Sequence, residues 1–255
     1  MFRPRHLPTL LLLFVACLPW QDGHATEPEQ RPVIAVIGTG RVGTALGPRL
    51  ATLGYEVVYG SRSPERADVR SLVKATGNGA SALSIEAAAK RGDWILLATP
   101  YRAMHSVLEQ FGDLDGKIII DVSNALKAAD DGLMSMASDT SAGEELQAAL
   151  PSAHVVKALN TVGFHVMANP AAAGGPVTVP IVGNSNSAKT RVTGLVRDLG
   201  FETIDLGPIR QARYLEGMAA LYLVPYLQGR REDAFEFHLR KDSSPQESTG
   251  VRAAQ

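Results

Sequence analysis

The chain has 255 residues, with 25 Lys plus Arg against 26 Asp plus Glu, 45% hydrophobic residues, 24 Gly and 15 Pro. That is the composition of a globular protein, neither disordered nor fibrous. A formal charge of −1 without a long Lys/Arg run argues against nucleic acid as a partner, so a small molecule is expected. With aromatics at 6% and Ala, Gly, Val and Leu abundant, helices packed on a sheet suit the composition better than a β-sandwich.

The first six residues are basic and residues 7–18 are apolar, a run too short to span a bilayer, which needs roughly 20 apolar residues. With the small residues Gly23 and Ala25 this is the layout of a signal peptide cleaved after Ala25, so export, to a bacterial periplasm, is expected. A degenerate lipobox ending in Cys17 offers a lipid-anchored alternative. Cys17 is the sole cysteine, and the six histidines are scattered without HxH or HExxH spacing. The mature chain is therefore expected to hold no disulfide and no local metal motif.

Residues 26–32 read as a linker, and 33–37 (VIAVI) as a buried parallel strand. Residues 41–53 carry apolar residues at helical spacing and end at Gly54. Further strands are predicted at 56–59, 94–98, 117–122, 154–158, 178–182 and 202–205, with helical material between them. Ser141 and Glu144 form a capping box, and 187–199 has helical spacing. The alternation predicts an α/β doubly wound parallel sheet with a smaller C-terminal helical segment. Residues 33–160 are expected to form the nucleotide-binding domain and 161–239 an acceptor-pocket and interface region. Within the latter, 209–227 should be a buried helix, interrupted at Gly217 and Pro225, that walls a pocket or pairs two copies in a homodimer. Residues 240–255 are polar and are expected to be a disordered tail.

Gly38-Thr39-Gly40-Arg41-Val42-Gly43 is a GxGxxG that follows a strand and opens a helix, the context that makes the pattern specific for a dinucleotide. At the end of the next strand, 23 positions beyond Gly38, stand Ser61 and Arg62 where an NAD site would place a carboxylate. A hydroxyl and a permanent cation suit a 2′-phosphate, so NADP(H) is the expected cofactor. Thr99 and Pro100 end the strand at 94–98, where doubly wound sheets bind ligands. Ser123, Asn124, Lys157, Asn160 and Thr161 occupy equivalent strand ends, as contacts to nicotinamide or substrate or as structural caps. His105 and His165 are weak candidates for a general acid, and no catalytic residue declares itself.

The ordered segments GTGRVGTAL, ATLGYEVVYGSR, ILLATPY, GKIIIDVSN, VVKALNTVG, PIVGN and DLGPIRQARYLEGMA resemble the NADPH-dependent coenzyme F-420 (deazaflavin) reductase family, also found as the cytosolic domain of STEAP metalloreductases. The resemblance spans 33–239. It implies that Ser61 and Arg62 hold the NADP phosphate and that Asn160-Thr161-Val162 and Leu206-Gly207-Pro208 line a pocket for deazaflavin coenzyme F-420 or a flavin. It further implies hydride transfer between NADP(H) and that ring. The alternatives are a ferric or cupric reductase acting through bound flavin, and an exported dinucleotide-binding redox sensor without turnover. Two features depart from the family: Ala125, where relatives often have Pro, and the export signal.

Overall fold

The computed structural model describes residues 31–240 and 242, so the expected leader at 1–25 with Cys17, most of the linker and nearly all of the tail lie outside the described residues. β1 (Ile34–Ile37) is buried at every position and pairs in parallel with β2 (Val57–Gly60) after helix α1 (Arg41–Thr52). Helix α2 (Ala67–Thr76) leads to the short edge strand β3 (Ser81–Leu83), and α3 (Ile85–Arg91) returns to β4 (Trp94–Leu97) on the other side of β1. Then come α4 (Met104–Leu108), β5 (Ile118–Asp121), a hairpin of β6 (Leu126–Ala128) and β7 (Met134–Met136), α5 (Ala142–Ala149) and β8 (His154–Lys157). The chain continues through α6 (Phe164–Ala168), β9 (Thr178–Gly183), α7 (Asn186–Asp198), β10 (Glu202–Asp205) and α8 (Ala212–Leu227).

Eight strands form one sheet in the order β10-β9-β8-β5-β4-β1-β2-β3. Alternate residues of each strand feed opposite faces. Ile34, Val36, Leu96 and Ile120 pack with Leu46, Leu50 and Val192 of α1 and α7, whereas Ala35, Ile37, Leu97 and Ile119 pack with Ala88, Leu146 and Leu215 of α3, α5 and α8. β1 has β2 on one side and β4 on the other, so the winding reverses there and opens a crevice above their C-terminal ends.

The sheet is mostly parallel, and β9 is the departure from the expected pattern: it runs antiparallel to β8, with β10 parallel to β9. Between β8 and β9 the chain holds only the five-residue α6 and a 3₁₀ turn at Pro170–Ala173, and it enters β9 from beyond the C-terminal end of β8. Without a full crossover back to the other end of the sheet, the strand has to run the opposite way. α8 follows a 3₁₀ turn at Ile209–Gln211. It passes through Gly217 unbroken and ends two residues after Pro225, which has no N–H to continue the helical hydrogen-bond ladder.

Candidate cofactor and acceptor site

The glycine-rich turn between β1 and α1 uses each glycine differently. Gly38 has φ +115°, and a Cβ there would lie 2.5 Å from Ala98 O, so the end of β4 excludes a side chain. A Cβ on Gly43 would lie 2.0 Å from Gly38 O, which fixes how closely α1 packs on the strand. Gly40 is the opposite case, because a Cβ there meets nothing within 4 Å. Gly40 is also the N-cap of α1, with no side-chain cap and no acidic residue in the first turn, so the first N–H groups are left for an anion from outside the chain. Thr39 belongs to the same turn, and Arg41 begins the helix with its guanidinium 5.3 Å over the Phe164 ring.

Gly38 N donates to Gly60 O (3.1 Å), which brings the end of β2 beside this turn. Ser61 is buried there and its Oγ accepts from Ser63 N. Arg62 is exposed and makes no hydrogen bond or ion pair among the described residues, whereas nearby Arg66 is held bidentately by Asp68 at 2.5 and 2.7 Å. That pair lowers the Asp68 carboxyl below its usual range, chiefly through the hydrogen bond from Arg66. Arg62 is thus the cation at this strand end that is not already committed.

At the end of β4, Thr99 Oγ1 is buried without a hydrogen-bond partner among the described residues. After Pro100, Tyr101 OH donates to both oxygens of Glu145 (2.9 and 3.1 Å), tying the loop to α5. Burial and the neighbouring carboxylate raise the Tyr101 pKa.

Lys157, read from the sequence as a ligand contact or a cap, is wholly buried and structural. Its Nζ donates to Ser123 O (2.7 Å) and is ion-paired with Asp121 Oδ2 (2.7 Å) and Glu216 Oε1 (2.9 Å), and all three charged side chains are 0% exposed. Burial alone would lower its pKa, but Asp121 and Glu216 outweigh burial and raise it. Ser123 N and Oγ donate to Asp121 Oδ1, and Glu216 accepts from the backbone N–H groups of Ala125, Ala142 and Gly143. This ion cluster fixes the 123–125 loop and caps α5 from α8. Its traces in the sequence are a Lys closing an apolar strand and the one Glu of a largely apolar stretch, partners that only the fold brings together.

Asn124 and Asn160 bridge the two strand ends: Asn160 Nδ2 donates to Asn124 Oδ1 (2.9 Å) and Leu215 O (3.0 Å). Asn160 Oδ1 and Thr161 Oγ1 are buried without hydrogen-bond partners among the described residues.

Two cavities open at these strand ends. One of 450 Å³ is lined by Gly40, Arg41, Val42, Thr99, Pro100 and Tyr101 among others. The second, of 710 Å³, is lined by Asn160, Val162, Phe164, His165, Tyr222 and Tyr226 among others. Arg41, Val42, Asn124 and Leu223 line both. Leu206, Gly207 and Pro208 line neither. Gly183 N donates to Gly207 O, and Gly183 lies opposite Val156, so the reversed strands hold that loop level with the middle of β8 and not beyond its end. His105 is exposed on α4, and no group of three or more His, Cys, Asp or Glu able to hold a metal occurs among the described residues. Tyr222, Leu223 and Tyr226 were not foreseen singly, because sequence spacing placed the helix without showing which side would face a cavity.

Residues 33–125 match the family model described as NADP oxidoreductase, coenzyme F420-dependent. The chain is 31% identical over 209 residues to metalloreductase STEAP3 of Rattus norvegicus, covering 80% of this chain and 40% of the relative, so it spans well under half of that protein's length. A crystal structure of a candidate F420-dependent NADP-reductase from Arthrobacter sp. FB24 is 29% identical, with TM-score 0.72, covering 82% of this chain and all of that one. The hypothetical protein SMa0349 from Sinorhizobium meliloti is 30% identical, with TM-score 0.59, over 70% of this chain and 86% of its own. Turn, strand ends and relatives agree, and the chain belongs to the family of NADP-dependent oxidoreductases described as coenzyme F420-dependent.

Proposed function

We propose that this NADP-dependent oxidoreductase passes a hydride between NADP(H) and a deazaflavin or flavin-like ring held in the 710 Å³ cavity. The observation that carries the reading is the seam of four residues, Arg41, Val42, Asn124 and Leu223, common to both cavities. A nicotinamide at the end of the first cavity would meet a ring in the second.

The residues present fit NADP(H). The empty cradle over Gly40 and the uncapped first turn of α1 suit a pyrophosphate, and Ser61 with the uncommitted Arg62 suits a 2′-phosphate. The orphaned buried atoms of Thr99, Asn160 and Thr161 supply polar partners at the strand ends. When bound, the cofactor supplies the hydride. The chain's own contribution is orientation and exclusion of water: Val42, Val162 and Leu223 provide apolar wall, and the Asn124–Asn160 bridge holds the two strand ends in fixed relation. Mixing purified protein and NADPH with F-420, FMN, FAD or ferric citrate, and following NADPH absorbance, tests the reading. Turnover with a ring acceptor supports it, and turnover with none of the four defeats it.

The likeness to metalloreductase STEAP3 favours a second reading, in which a bound flavin passes its electrons on to a ferric or cupric chelate as substrate. Metal-dependent turnover that requires added flavin would select it. Export rests on the pattern of residues 1–25 and is likewise proposed; an intact mass that retains Met1 in the native protein would overturn it.

A further inference from the structure

One wall of the larger cavity carries titratable side chains that the proposed hydride transfer does not use. Tyr222 and Tyr226 of α8 and His165 of α6 line it, and behind them Glu236 arrives on the extended segment 234–239. That segment is tied to β9 by Thr178 N donating to Phe237 O (2.8 Å) and Leu239 N donating to Thr178 Oγ1 (3.0 Å). Tyr222 OH lies 2.9 Å from Glu236 Oε1 and 3.2 Å from Tyr226 OH, and His165 Nε2 lies 4.0 Å from the same carboxylate oxygen. Glu236 Oε2 is buried and has no hydrogen-bond partner among the described residues. Arg41 and Arg231 also line the cavity, yet neither is ion-paired to this carboxyl. A largely buried carboxyl, its side chain 13% exposed, with an orphaned oxygen is held at lower cost as the neutral acid, and burial does raise the Glu236 pKa, with the Tyr222 hydrogen bond opposing it.

We propose that Glu236, Tyr222, Tyr226 and His165 form a proton relay that delivers to the reduced acceptor the proton that hydride transfer does not bring. The inference rests on the larger cavity being the acceptor site. The balance is simple. A C–H bond of the dihydronicotinamide breaks and its hydrogen leaves with both electrons for the ring, which then needs one more proton on a nitrogen to become the neutral reduced form. Tyr226 gives that proton from its hydroxyl, Tyr222 replaces it, and Glu236 replaces the proton of Tyr222, the 2.9 Å contact running from acid to phenol when the carboxyl is neutral. His165, half-exposed, restores the proton of Glu236 from solvent across a gap that one water fills.

The experiment uses the full chain with F-420 and, in parallel, FMN as acceptors. Glu236→Gln keeps the shape and an oxygen for Tyr222 but has no proton to pass. Its kcat should fall about 100-fold or more with both KM values little changed, and the decline of wild-type kcat as pH rises through the carboxyl's pKa should disappear. Glu236→Asp should recover part of both. An unchanged kcat, or a lower kcat with the wild-type pH profile, overturns the relay. Infrared difference spectra between wild type and Glu236→Gln should also show a protonated carboxyl at neutral pH, and its absence overturns the relay whether or not turnover is seen. If neither ring binds or is reduced by the wild-type protein, it is the acceptor reading that falls, and the infrared band separates that outcome from failure of the relay.

Discussion

Arg62 ends β2 with its guanidinium in solvent and uncommitted, while Arg66 a few residues on closes on Asp68. NADPH differs from NADH by one phosphate at this strand end. Losing a charge-assisted contact to it should make Arg62→Ala bind NADPH about 10- to 150-fold more weakly while NADH is barely affected. Ser61→Asp with Arg62→Ala should go further, since it adds a ribose acceptor and repels phosphate. Titration of both coenzymes by fluorescence decides this, and equal wild-type affinity for the two would defeat the assignment. Arg62 was legible because its signals are local: a glycine turn, a strand and a missing carboxylate. Lys157 was not, because Asp121 and Glu216 come from other elements. Lys157→Met would leave two carboxylates buried without their cation, which should cost about 3 to 5 kcal/mol of stability in urea unfolding at neutral pH. The folded state raises the Lys157 pKa above its ordinary 10.5, so its stabilisation is complete below that value and is lost as pH climbs through the higher folded value. The wild type should therefore weaken at strongly alkaline pH by a component that the methionine variant lacks.

In α1 the two glycines that a motif treats alike should separate under substitution. Gly40→Ala meets nothing in the protein, so melting temperature should hold while the new methyl occupies the phosphate cradle and weakens NADPH about tenfold or more. Gly43→Ala drives a methyl into Gly38 O, so α1 has to move off β1, costing about 1 to 3 kcal/mol and the cofactor together. Melting curves and NADPH titrations of the two variants check the contrast, and a Gly43→Ala variant with wild-type melting temperature and normal binding would contradict it. The long helices were readable from apolar spacing, as was the capping box, where Ser141 Oγ accepts from Glu144 N. β3, β6 and β7 were not, since three residues are too few for periodicity to speak. α8 was placed correctly but is not buried all round: Leu215, Ala219 and Tyr222 face inward, while Tyr214 and Leu221 remain 67% and 61% exposed. Our proposal of a homodimer uses this outer stripe. Sedimentation should show a dimer for the wild type and a monomer for Leu221→Glu, and a monomeric wild type removes the proposal.

At the scale of the molecule, strands of β-branched residues alternating with helices were enough to foresee a doubly wound sheet with a helix layer on each face. The reversal at β9 was hidden because direction depends on where residues 158–177 deliver the chain, and that is set by packing of the short α6 on α1. The reversal also explains why the family-like loop at Leu206–Pro208 stands outside both cavities, whose walls come instead from the strand ends of β1, β4, β5 and β8, from α6 and from α8. With Arg41, Val42, Asn124 and Leu223 lining both cavities, a ligand in either one orders side chains that the other must use. Occupation of one site should therefore change affinity at the other by about 5- to 150-fold, the usual range of such coupling. FMN fluorescence titrated with and without saturating NADP⁺ gives one leg, and NADP⁺ titrated with and without FMN gives the other. The two factors must agree by thermodynamic linkage, so their common size carries the information. A factor of one would mean that the seam carries no net coupling, and would overturn the expectation that a ligand in one cavity orders side chains for the other.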